Sequence, residues 1–160
     1  MRSRKQALKQ AIDEFLHEIS DADSELLLDS VMAGCAIIAH ADGGVAVEER
    51  ERMMSLIYRF EPLRAFDRAT LADSFERATF DFEADRHAGE RNALLVVGQL
   101  RERRRYAVAL LRTCQAIASG DGVIDAQEWQ ALVRICKSLD LDPVDYDLLD
   151  DLRTSRHAAS

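Results

Sequence analysis

Cys35-Ala-Ile-Ile-Ala-His-Ala-Asp42-Gly-Gly-Val-Ala-Val-Glu-Glu49 and Cys114-Gln-Ala-Ile-Ala-Ser-Gly-Asp121-Gly-Val-Ile-Asp-Ala-Gln-Glu128 are two copies of one pattern. At a constant offset Cys35 pairs with Cys114, Ile38 with Ile117 and Ala39 with Ala118. Asp42 then falls on Asp121, Gly43 on Gly122, Val45 on Ile124 and Glu49 on Glu128. Each copy reads as a buried helix, a glycine-broken stop and the acidic first turn of a second helix. A shared register of apolar, Asp-Gly and Glu positions marks an internal duplication.

The chain outward from these stretches reads as helix throughout. Leu8, Ala11, Ile12, Phe15, Leu16 and Ile19 recur at helical spacing between about 5 and 19. Ser20-Asp-Ala-Asp-Ser24 reads as a break, with Asp23 or Ser24 as cap. The run 25–41 is apolar nearly all round, as a helix in the middle of a bundle must be. A helix from Val47 to near Phe60 presents Arg50, Met53, Met54 and Ile57 and stops ahead of Pro62. Asp67 caps the next helix, whose inner face is Leu71, Ala72, Phe75 and Ala78. Glu83 to about Gln99 follows, with Leu94, Leu95 and Val97 inward. Tyr106–Ser119 and Asp125–Leu139 complete the second copy, and Asp142-Pro143 opens a last helix. The expectation is an all-α chain: one domain over 1–160, a compact bundle of seven to eight helices, with repeat copies at about 25–60 and 104–139.

Composition narrows the function. The chain has 160 residues, 48% hydrophobic and 31% charged, with two prolines and seven glycines, an ordinary globular balance rich in helix formers. A net charge of −8 argues against nucleic acid as a partner, because phosphate neutralisation needs clustered cations. Cys35, Cys114 and Cys136 are odd in number and lie among apolar neighbours, which reads as buried hydrophobes in a reducing compartment. No apolar run approaches membrane-spanning length and the start lacks a secretory apolar core, so a cytoplasmic location is expected.

The repeated loop carries the chemistry. In an EF-hand loop, glycine stands sixth, an aliphatic residue eighth and a ligating glutamate twelfth. Gly43, Val45 and Glu49 fit those places, and so do Gly122, Ile124 and Glu128. The first place falls on Ile38 and Ile117, and the third on His40 and Ser119, so a full calcium loop is excluded. What remains is a pair of carboxylates per copy, Asp42 with Glu49 and Asp121 with Glu128, which suit a hard divalent cation of unspecified identity. Helix capping is the competing reading. Asp125-Ala-Gln-Glu128 has the form of a capping box, whereas Ala46 holds the cap position in the first copy.

The pattern Ala-x-Ala-Asp42-Gly-x-Val-x-x-x-Glu49, repeated as Ala-x-Gly-Asp121-Gly-x-Ile-x-x-x-Glu128, resembles the tellurite-resistance TerB family, which also includes the N-terminal domain of a DnaJ-like membrane co-chaperone. The resemblance implies an all-helical cytoplasmic domain of bacterial stress defence. It also implies metal binding at acidic clusters and protein partners near the inner face of the membrane. Carried over residue by residue, Asp42, Glu49, Asp121 and Glu128 are the metal site. The chain departs from the pattern in lacking a cap at Ala46 and in carrying Gly120 where the first copy has Ala41.

Other signals are weaker. His17 lies with Asp13, Glu14 and Asp21, and Glu83, His87 and Glu90 share helical spacing; such acid–histidine sets are more often solvated surface than zinc sites. His40 stands where it could orient Asp42, though its repeat mate is Ser119. Arg101, Arg103, Arg104, Arg105 and Arg112 form a basic cluster, a solvated junction or a surface for anionic lipid or an acidic partner. Trp129 falls beside Glu128, aligned with Arg50. No nucleophile elbow, phosphate loop, HExxH or dinucleotide fingerprint is present. The reading is a non-catalytic, metal-responsive interaction module. Its alternatives are a metal-independent helical adaptor whose acidic loops only cap helices and, behind it, a metal-dependent hydrolase.

Overall fold

The computed structural model describes residues 21–41, 47–59, 63, 65–119 and 124–148. Every regular element among them is helical, and no strand occurs. The α-helices are α1 (Asp21–Ala39), α2 (Val47–Arg59), α3 (Arg68–Ala84), α4 (Arg86–Gly98), α5 (Arg104–Ala118) and α6 (Ala126–Ser138). A 3-10 turn, Pro143–Tyr146, follows. Among the described residues six α-helices stand where seven to eight were expected. The helix read over 5–19 lies outside the described residues, and the segment opened by Asp142-Pro143 is a 3-10 turn followed, at Leu148, by a helical residue where the description ends.

α1 is the axis of the bundle, because it packs against each of the other five α-helices. Its composition demands that position: Leu27, Leu28, Val31, Met32 and the run Cys35–Ile38 are all buried, leaving too little polar surface to face water. Residues 21–24 are helical, so this part of the expected break at 20–24 is a helical turn instead. α5 and α6 are amphipathic and lay Ala107, Leu110, Leu111, Cys114, Leu132, Ile135 and Cys136 inward. At the expected offset, Ala39 ends α1 where Ala118 ends α5, and Val47–Arg59 of α2 spans the positions of Ala126–Ser138 in α6. The packing is reciprocal too, α1 lying on α6 as α2 lies on α5.

Two close approaches set the helix spacing. A Cβ on Gly34 of α1 would sit 2.6 Å from Cys114 Sγ of α5, so these helices cross within one residue of the repeat-related pair Cys35 and Cys114, and only a bare Cα fits. A Cβ on Gly89 of α4 would lie 2.6 Å from the Phe82 backbone of α3. That tight hairpin turns on a single residue. Asp85 ends α3 in extended geometry, and its carboxylate accepts from the N–H groups of His87 (3.0 Å) and Ala88 (3.2 Å), capping α4. The boundary expected at Glu83 therefore moves to Arg86.

The other caps follow the sequence reading. Asp67 accepts from Thr70 N–H at 2.7 Å, and Asp142 caps the 3-10 turn with Pro143 at its start. α6 closes in a Schellman motif: Asp140 N–H bonds the Lys137 carbonyl and Leu141 N–H the Cys136 carbonyl, with Asp140 left-handed at φ 59°. α5 is the exception. Arg103 is its N-cap, no side chain caps it, and no acidic residue stands in its first turn. Each arginine there opposes the helix dipole by roughly 0.3–1 kcal/mol. Leu95, expected inward, is 71% exposed, because the α4 stripe that meets the core runs through Gly89, Ala93, Val97 and Leu100.

Candidate functional site

The approach to the first loop is built by three helices. α1 ends with His40 N–H on the Ala36 carbonyl (3.1 Å) and Ala41 N–H on the Ile38 carbonyl (3.2 Å). The His40 ring turns inward, 6% exposed, and its Nδ1–H donates to the Ala36 carbonyl at 2.9 Å. The ring stacks on Phe82 with centroids 4.6 Å apart and planes 19° off parallel. His40 is therefore a core histidine joining α1 to α3; Asp42, which it was read as placed to orient, lies outside the described residues. At the same place Arg86 of α4 reaches back and donates from Nη2 to the Ala41 carbonyl at 2.9 Å. A guanidinium thus sits where the helix dipole is negative, one residue before the loop.

α2 is tied to α3 by one arginine. Arg50 donates from Nη1 to Glu76 (3.0 Å) and from Nη2 to Glu83 (2.7 Å), two carboxylates about two helical turns apart. All three groups are solvated to some degree, so the pair orients helices more than it stabilises them. Neither Arg50 nor Arg86 was singled out as a structural link by the sequence. No spacing rule connects them to partners on α3 and at the end of α1, and the repeat offers Trp129 opposite Arg50.

Of the four expected metal ligands, Asp42 and Asp121 lie outside the described residues. Glu49 falls in the first turn of α2, and its side chain is likewise outside them. Glu128 stands in the first turn of α6 and is half-buried. Its N–H donates to Asp125 Oδ1 at 2.7 Å, and its Oε1 accepts from Asp125 N–H at 3.4 Å, the reciprocal bonds of a capping box. Glu128 thus has a structural task in place. Among the described residues no group of three or more His, Cys, Asp or Glu side chains is arranged to hold a metal ion.

The weaker candidates resolve in the same way. His17 and its acidic neighbours lie outside the described residues, apart from the backbone of Asp21. Glu83 is paired with Arg50 and Glu90 with Arg134 of α6, which leaves the exposed His87 without a converging carboxylate pair. Of the basic cluster, Arg103 lies over the Tyr106 ring and Arg112 over Tyr146, both cation–π contacts. Trp129 is half-buried against the core. All three thiols are buried. Burial, with Cys114 adding to it, holds Cys35 well above the ordinary thiol value; burial pushes Cys114 up to about 12 and Cys136 to about 11. Thiols held protonated this firmly are poor nucleophiles and poor metal ligands. No helix among the described residues is long and apolar enough to cross a membrane.

A family model described as "Tellurite resistance protein TerB" matches residues 28–151, which span both copies of the loop. The chain is also 26% identical over 108 residues to the tellurium resistance protein TerB of an Alcaligenes species, covering 68% of this chain and 88% of that relative. No solved structure gives a significant match.

Proposed function

The chain belongs to the TerB tellurite-resistance family, and from that premise we propose that it is a non-catalytic module of bacterial stress defence that captures divalent cations at its duplicated loop and engages protein partners. The observation that carries this reading is the matched register of the two copies, with Glu49 and Glu128 at the same place in the first turns of α2 and α6. Asp42 with Glu49 would hold one ion and Asp121 with Glu128 another. Four carboxylates are an all-oxygen donor set, which fits hard cations, while the protonated buried thiols offer nothing to soft ones. A bound ion supplies charge that draws the end of one helix toward the start of the next. The angle between α1 and α2, or between α5 and α6, would then depend on the ion and would alter the surface shown to a partner.

The capping box at Asp125 and Glu128 favours a second reading, a metal-independent helical adaptor whose acidic loops only close helix ends. One experiment separates the two. Chelator-treated protein is titrated with calcium, magnesium, manganese and zinc, followed by backbone amide shifts, beside Glu49→Gln and Glu128→Gln. Saturable shifts at Gly43 and Gly122 that disappear in the matching variant support ligation. Flat titrations, with both variants merely less stable, support capping and refute the metal reading.

A further inference from the structure

Two exposed apolar anchors sit in surroundings of opposite charge. Phe80 of α3 is 70% exposed and shares its helical stripe with Glu76 and Glu83, the two carboxylates that hold Arg50. Val47 of α2 is 69% exposed and lies one turn from Arg50, so Val47 and Phe80 flank the same bridge and belong to one surface. Glu48, Glu51 and Asp73 are exposed around them, and with exposed Arg77, paired to Asp73, the rim is net negative. Leu95 of α4 is 71% exposed on a stripe with Arg91 and Gln99, and this stripe runs into the turn that carries exposed Arg101, Arg103, Arg104 and Arg105. Exposed Glu102 lies in the same turn, and the second anchor has a net positive surround. A single exposed apolar side chain is ordinary, but Val47 and Phe80 on one face and Leu95 on another, beside net charges of opposite sign, are complementary contact surfaces.

We propose that these are the two halves of a head-to-tail contact between copies of this chain, the Leu95 face with its arginine turn docking on the Val47–Phe80 face of the next. The occupant is a second copy because the chain itself carries the complement in both sign of charge and kind of anchor. Within one chain the two faces lie on different elements, α2 and α3 against α4 and the start of α5, so each copy presents both. Such a contact is heterologous: it propagates or closes into a ring rather than stopping at a two-fold dimer. The arginines at the start of α5 oppose their own helix dipole, and an acidic neighbour offsets that opposition. The inference does not depend on whether the loops bind metal.

The test is sedimentation velocity over rising protein concentration, with Phe80→Asp, Leu95→Asp and Arg104→Glu. All three positions are exposed, and melting curves verify that each variant folds. The wild type is expected to sediment faster as concentration rises, and each of Phe80→Asp and Leu95→Asp to remain monomeric alone. Mixed together, those two variants retain one intact face each and are expected to form a pair and nothing larger. Arg104→Glu is expected to weaken association at least about tenfold while leaving the fold intact or firmer, since glutamate suits a helix start. A wild type that stays monomeric throughout overturns the proposal. So does association that survives in Phe80→Asp and Leu95→Asp, or a mixture of the two that remains monomeric.

Discussion

Replacing Gly34 with alanine sets two effects of known sign against each other. Alanine in a helix interior is worth about 1 kcal/mol over glycine, so an uncrowded site would be stabilised. Here the new methyl would stand 2.6 Å from Cys114 Sγ, roughly 1 Å inside the separation at which such atoms attract. Cys114 is fully buried, so relief requires a shift of α1 against α5, an overpacking cost of about 1–3 kcal/mol. The expected net result is a loss of about 1–2 kcal/mol. In a Cys114→Ala background the sulfur is gone and the next neighbour, Ile135 Cδ1, is at an ordinary 4.0 Å. There the same substitution should stabilise by up to about 1 kcal/mol. Urea unfolding of the four proteins gives the coupling, expected at about 2–3 kcal/mol. Equal effects of Gly34→Ala in both backgrounds, or a stabilised single variant, would refute the account of the α1–α5 crossing.

Gly89→Ala meets the Phe82 backbone as well as its ring, and backbone cannot swing aside, so a loss on the order of 3 kcal/mol is expected in the same assay. Ser30 is fully buried with no hydrogen-bond partner for its hydroxyl among the described residues, so Ser30→Ala should stabilise by about 1 kcal/mol on thermal or urea unfolding. The Thr70 backbone N–H, with further help from its side chain, holds the Asp67 carboxyl below its ordinary value. A depressed folded pKa stabilises above the unfolded value and loses that contribution as pH falls through the folded one. The melting-temperature gap between wild type and Asp67→Asn should therefore narrow on acidification through the ordinary aspartate range and below. Iodoacetamide at pH 8 should label Cys35, Cys114 and Cys136 only as fast as the protein opens, which peptide mapping during a denaturant series would report.

What the sequence made legible was whatever depends on near neighbours. The burial of α1 followed from an apolar run with no polar face, and the caps at Asp67, Asp125 and Asp142 from short-range bonds between a side chain and the next turn. The α3–α4 break was placed at Glu83 rather than at Asp85 because Asp85-Arg-His reads as charged helix surface, and a one-residue turn leaves no glycine or proline to mark it. Leu95 was placed inside because it adjoins Leu94 and Val97. Which of several adjacent apolar residues faces the core depends on where α3 and α6 lie, and periodicity does not hold that information. His40 drew attention by its nearness to Asp42, yet its environment is set by Phe82 on another helix. Of the candidate site, the Asp125–Glu128 capping box was legible in the sequence. The guanidinium of Arg86 at the mouth of the first loop comes from tertiary structure alone.

The axial place of α1 also bears on the order in which a ribosome delivers the fold. Met32, Cys35, Ala36 and Ile37 emerge early, but α5 and α6, which help to enclose this helix, are made only after α2, α3 and α4. A nascent chain that stops short of Arg104 holds one copy of the repeat whose most apolar helix lacks part of its cover. Such a chain is a natural client for chaperones and prone to associate through that bare face. Completion of the second copy is then the event that commits the whole molecule, and C-terminal truncations into α5 should turn up in the insoluble fraction rather than as smaller folded domains.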